Sequence, residues 1–118
     1  MEIGKDLVAA SSAPLVLAIL AEGEDYGYAI LQRIARVSSG RLQWSEGLLY
    51  PLLHRLERLG QVESSWVAPE GGRRRKYYRI TADGRRALAE HRGQWDAIND
   101  TLGRLWLLAP VNPSAVTA

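Results

Sequence analysis

Residues Ser45–Thr81 read SEGLLYPLLHRLERLGQVESSWVAPEGGRRRKYYRIT, a helical period that gives way to two strand-like runs across a glycine-rich loop. Within Ser45–Gly60, Leu48, Leu49, Leu52, Leu53, Leu56 and Leu59 fall on one side of a helix. Tyr50, His54 and Arg58 fall on the other, with Gly47 and Pro51 beside them. Ser45 is the expected cap and Gly60 the stop. An interior proline costs a helix up to about 3 kcal/mol, because its ring crowds the carbonyl four residues back. Here that residue is Gly47 and the proline sits in the second turn, so the expectation is a distorted start rather than a break. QVESSWV and KYYRIT alternate as strands, with Val62 and Trp66 on one face of the first and Tyr78 and Ile80 on one face of the second. Pro69, Gly71 and Gly72 break the chain between them, in a loop longer than a tight turn.

Upstream, SSAPLVLAILAEG is expected to be a helix capped by Ser11 or Ser12, with Pro14 in its first turn and Gly23 at its end. It is apolar on nearly all sides, so it should be the most buried. DYGYAILQRIARVSSG predicts a second helix, capped by Asp25, with an apolar stripe of Ile30, Leu31, Ile34 and Val37 and a close at Gly40. RLQW is a short bridge, extended over one segment at most. Downstream, Thr81 caps a long helix with Asp83 at its positive end. Leu88, His91, Trp95, Ile98, Leu102, Leu105 and Ala109 alternate steps of three and four along it, the spacing of a heptad seam. Pro110 and Pro113 stop the helix and leave a frayed tail.

The expected fold is mainly α with a β-hairpin (α+β): a winged helix-turn-helix over residues 1–81, a C-terminal dimerisation helix over 82–109 and a disordered tail over 110–118. Trp44 and Trp66 are expected in or near the winged core.

Composition narrows the function. Cysteine is absent, which excludes disulfides, thiolate metal sites and thiol nucleophiles. The two histidines, His54 and His91, lie on different helices with no nucleophile or ligand cluster beside them, so neither an enzyme nor a metal site is expected. No glycine-rich phosphate loop follows a strand, and no cofactor is expected. The start, MEIGKDLVAASS, lacks the basic region of a signal peptide. The longest apolar run, PLVLAILA, is far short of the ~20 residues that span a bilayer. A cytoplasmic protein with no membrane partner is expected.

Charge is distributed unevenly. Residues 1–30 hold one cation against five anions, and residues 41–80 hold eight cations against four anions. The basic middle coincides with the third helix and the hairpin, the two elements that a winged helix presents to DNA. Tyr50 and His54 sit one turn apart with donors that reach phosphate or base edges. Ser45 stands at a helix N-terminus that favours phosphate, while Glu46 opposes it. Arg55 and Arg58 suit backbone contact, and Arg73, Arg74, Arg75 and Lys76 at the hairpin tip suit flanking phosphates. Tyr50 also suits packing on the second helix, and His54 an idle surface position.

DYGYAILQRI, GLLYPLLHRLERLG and GRRRKYYRITADGRRAL resemble the three signature blocks of PadR-type transcriptional regulators, across roughly residues 14–92. The resemblance implies a homodimeric bacterial repressor. In it the Tyr50 helix enters the groove, the basic wing touches DNA backbone and one last helix crosses into the partner subunit. It also implies, for some members, a planar aromatic effector bound through tryptophan at the dimer centre. Leu48 stands where a threonine is common, and Arg74 where a proline is common in the wing. On the residues themselves, two seams packed together would dimerise the chain through Leu88, Trp95, Ile98, Leu102, Leu105 and Trp106, and set two reading helices on one inverted repeat. Trp106 is expected to pack on the partner's first helix. Trp95 is either plain interface core or a stacking platform for a small planar aromatic ligand, with His91, Ile98 and Asn99 beside it. The rival function is a winged-helix protein-interaction module that binds no DNA.

Overall fold

In a computed structural model, residues 1–109 are described. The third predicted helix forms as its pattern dictates. It is α3, Glu46–Arg58, with Leu49, Leu52, Leu53 and Leu56 buried and an unbroken helical path through Pro51. Ser45 caps it, its hydroxyl accepting from the Leu48 N–H at 3.3 Å. Gly60 ends it in the left-handed region, φ 74°, which only glycine adopts freely. Before it run α1 (Lys5–Ala21), β1 (Asp25–Tyr26) and α2 (Gly27–Val37); after it come β2 (Val62–Val67), β3 (Arg75–Ile80) and α4 (Ala82–Leu108).

Two compact units divide the chain after Leu88. The first holds one core: Val16, Leu17 and Leu20 of α1, Ile30 and Ile34 of α2, the α3 leucines, Val62 of β2, and Tyr78 and Ile80 of β3. The hairpin pairs Val62 with Ile80 and runs out to Val67 opposite Arg75. The first turns of α4 belong to this unit. Gly84 lies so close to Gln61 and Ile80 that a Cβ there would collide with the Gln61 carbonyl oxygen. Thr81 ties the junction, accepting from the Gly84 N–H at 3.0 Å and donating to the Gly60 carbonyl at 2.6 Å. Ala87 and Leu88 pack on the same core. In the second unit, His91, Trp95 and Leu102 are half-buried, while Ile98, Leu105, Trp106, Leu107 and Leu108 are exposed. The predicted tail over 110–118 lies outside the described residues. Among the described residues, no helix is long and apolar enough to cross a membrane.

Several expectations are corrected. The first helix starts at Lys5 after Gly4, so Pro14 is interior. Ser11 and Ser12 do not cap it: their hydroxyls donate back to the Leu7 and Ala9 carbonyls at 2.7 and 2.9 Å. Asp25 caps nothing, because it lies in β1, paired with Tyr78, and α2 starts after Tyr26. The sheet therefore has three strands, ordered β1-β3-β2, rather than a bare hairpin; a two-residue strand is too short to show a period. Val37 and Leu59, placed on apolar stripes, are exposed at the trailing ends of their helices. Trp66 is also exposed, at 59%. It shares a face with Val62, but the core ends before the hairpin tip. Trp44 does pack against the core.

Candidate nucleic-acid interface

The free face of α3 is set by what its leucines bury. With Leu49, Leu52, Leu53 and Leu56 turned inward, His54 and Arg58 are exposed and Tyr50 is half-buried at the edge. The Tyr50 ring lies over Gly27 at the start of α2, where a Cβ would run into its phenol. Tyr50 therefore packs on the second helix and borders the open face at once. Pro69–Gly72 form the turn that leads to the wing cations: the Gly72 N–H donates to the Pro69 carbonyl at 2.8 Å, and Gly71 takes φ 72°.

A cleft of about 380 Å³ lies between α3 and the wing. Tyr50 and His54 line it from the helix, and Trp66, Arg74, Arg75 and Lys76 from the hairpin, with Tyr26, Gly27, Tyr28 and Tyr78 completing it. Five of the nine predicted DNA contacts thus meet at one surface. The other four do not line this cleft. Arg58 and Arg73 are exposed outside it. Arg55 lines a separate groove with Ala9, Ser12 and Pro51 toward α1. Ser45 borders a third hollow, with Met1, Arg41 and Trp44, whose buried indole N–H has no acceptor among the described residues.

Ion pairing divides the cations into two sets. Arg33, Arg79, Arg86, Arg92 and Arg104 each hold a carboxylate, on Glu22, Glu63, Asp83, Asp96 and Asp100 respectively. Arg79 forms a cross-strand pair with Glu63, whose hydrogen bond and charge raise the guanidinium pKa further above its usual range. Among the described residues, Arg55, Arg58, Arg73, Arg74, Arg75 and Lys76 form no ion pair, a property they share with Lys5, Arg36, Arg41 and Arg85. Unpaired, solvent-facing guanidinium groups are the ones free to replace counterions on a phosphate chain.

Aromatic rings lie under the wing cations. The Arg74 Cζ is 5.1 Å from the Trp66 ring centre, the Arg75 Cζ 4.5 Å from that of Tyr26, and the Lys76 Nζ 5.6 Å from that of Tyr78. Tyr26 meets Tyr77 edge-on at 5.5 Å. Reading the sequence misses Trp66 and Tyr26 here. Period-two alternation assigns Trp66 to the right face but says nothing of how far the core extends. Tyr26 reaches the wing only through β1.

Comparison with known proteins bears on this architecture. The model of the PadR-like family of transcriptional regulators matches residues 16–90. The transcriptional regulator Rv3488 of Mycobacterium tuberculosis is 40% identical over 72 residues, which cover 61% of this chain and 64% of that protein. Among solved structures, a PadR family transcriptional regulator from Eggerthella lenta is 35% identical, with a TM-score of 0.74, covering 90% of this chain and 88% of its own. A transcriptional regulator from Clostridium thermocellum superposes with a TM-score of 0.78 at 27% identity, covering 85% of this chain and 97% of that one. With its winged helix, its unpaired basic wing and a family match over most of its winged unit, the chain belongs to the PadR-like family and is a DNA-binding transcriptional regulator, not an enzyme.

Proposed function

We propose that the chain acts as a homodimeric repressor on an inverted-repeat operator, with α3 in the major groove and the wing on the flanking backbone. The observation that carries this reading is the gathering of Tyr50, His54, Arg74, Arg75 and Lys76 at one cleft, with the three cations unpaired. His54 and Tyr50 read or position at the groove. Arg73–Lys76 neutralise phosphate, and Arg58 and Arg55, on α3 but outside the cleft, are assigned to further backbone contact. Each phosphate neutralised steepens the fall of log K with log salt by about 0.9. Replacing Arg73–Lys76 by alanine is expected to weaken duplex binding and flatten that slope; unchanged affinity and slope would remove the wing from the interface.

Dimerisation is assigned to α4 through Trp95, Ile98, Leu102, Leu105 and Trp106. Exposed Ile98, Leu105 and Trp106 support it, since an apolar seam left in water favours a partner helix. A planar aromatic effector is assigned to Trp95, with His91, Ile98 and Asn99 around it. Half-burial leaves the Trp95 ring accessible for stacking. Titration with planar aromatics should quench tryptophan emission in the full chain and not in Trp95→Ala; equal quenching in both rejects Trp95 as the platform.

A further inference from the structure

Trp66 is more than half exposed on the wing, and burial fades along its own strand face: Val62 is 1% exposed, Ser64 half-buried and Trp66 59% exposed. Its indole therefore adds little to the core. What it touches is Arg74, whose guanidinium carbon stands 5.1 Å over the ring. Register explains the meeting. Trp66 pairs with Lys76, so the residue two before Lys76 lies diagonally across on the same face. Around the other side of the hairpin the arrangement repeats. Tyr26 pairs with Tyr77, and Arg75, two residues before Tyr77, lies 4.5 Å over the Tyr26 ring. Two adjacent arginines at the rim of one cleft are thus each held by an aromatic ring from a neighbouring strand.

A stacked guanidinium uses its flat face and keeps its N–H edge free, and that edge pairs with phosphate oxygens in the bidentate mode. A free arginine loses much rotamer freedom on binding, and a side chain already stacked has less to lose. We propose that Trp66 and Tyr26 are positioning residues for DNA binding, holding Arg74 and Arg75 in extended, edge-out poses before the duplex arrives. This rests on the wing contacting backbone phosphate, as assigned above.

The test uses the full chain and a random-sequence duplex of about 30 base pairs, since backbone contacts do not depend on sequence. Trp66→Ala should weaken binding about two- to fivefold per wing, the loss of one exposed cation–π contact. It should leave the salt slope unchanged, because the same phosphates are still neutralised, whereas Arg74→Ala should lower the slope by about 0.9 per wing. Trp66→Phe, which keeps a ring under Arg74, should restore most of the affinity. In an Arg74→Ala background, Trp66→Ala should do nothing more. Unaltered affinity in Trp66→Ala, or an equal loss with and without Arg74, overturns the proposal. The two readings fail separately. If Arg73–Lys76→Ala binds as tightly as the parent chain, the wing contact itself is wrong. If that variant weakens binding while Trp66→Ala does not, only the stacking is wrong.

Discussion

Gly84 shows how much one missing Cβ decides. It is the third residue of α4, its N–H held by the Thr81 hydroxyl, and its Cα rests against the Gln61 carbonyl, which itself accepts from the Thr81 N–H at 3.1 Å. That carbonyl has no room to retreat, so Gly84→Ala should destabilise the chain by about 1–3 kcal/mol, seen as a lower denaturant midpoint at constant m. Tyr78 is a buried phenol whose surroundings shift its titration. Burial first, then the Glu57 carboxylate and Tyr50, raise its hydroxyl pKa above the ordinary 10.0. The folded state then holds this proton more tightly than the unfolded chain. The resulting stability is complete below pH ~10 and falls as the pH rises through the folded pKa. An ultraviolet titration should show a late-ionising component, and Tyr78→Phe should remove it.

At the scale of elements, the joint between wing and last helix is made by Thr81. One hydroxyl accepts from the α4 N-terminus and donates to the Gly60 carbonyl at the end of α3, so it fixes where three elements meet. Thr81→Ala should cost about 1–2 kcal/mol, the loss of a cap and of a second hydrogen bond, measured by equilibrium unfolding. Thr81→Ser should recover most of it. The elements differ in how far their residues announce them. α3 and the hairpin were legible because their periods are long and their caps conventional. The start of α1 was not, since Ser11 and Ser12 are as good at bonding back within a helix as at opening one. β1 was invisible for a different reason: its two residues are a strand only because β3 lies alongside.

For the whole molecule, the test lies in assembly. A Leu105→Asp, Trp106→Asp variant should sediment as a monomer and lose at least about a hundredfold in affinity for a duplex with two half-sites, the avidity of two linked wings. Its affinity for a single half-site should be little changed, because the cleft lies within residues Met1–Leu88. By itself the chain determined the order of the four helices and the hairpin, the winged-helix class, the basic middle and the apolar seam, because these rest on local period, capping and charge, which each segment carries alone. Only the tertiary structure decided that Trp66 lies outside the core and under Arg74, that Tyr26 reaches Arg75, and that Arg55 faces α1 instead of the cleft. Those facts depend on where the core ends and which strands become neighbours, and distance across a fold is not written in spacing along a sequence.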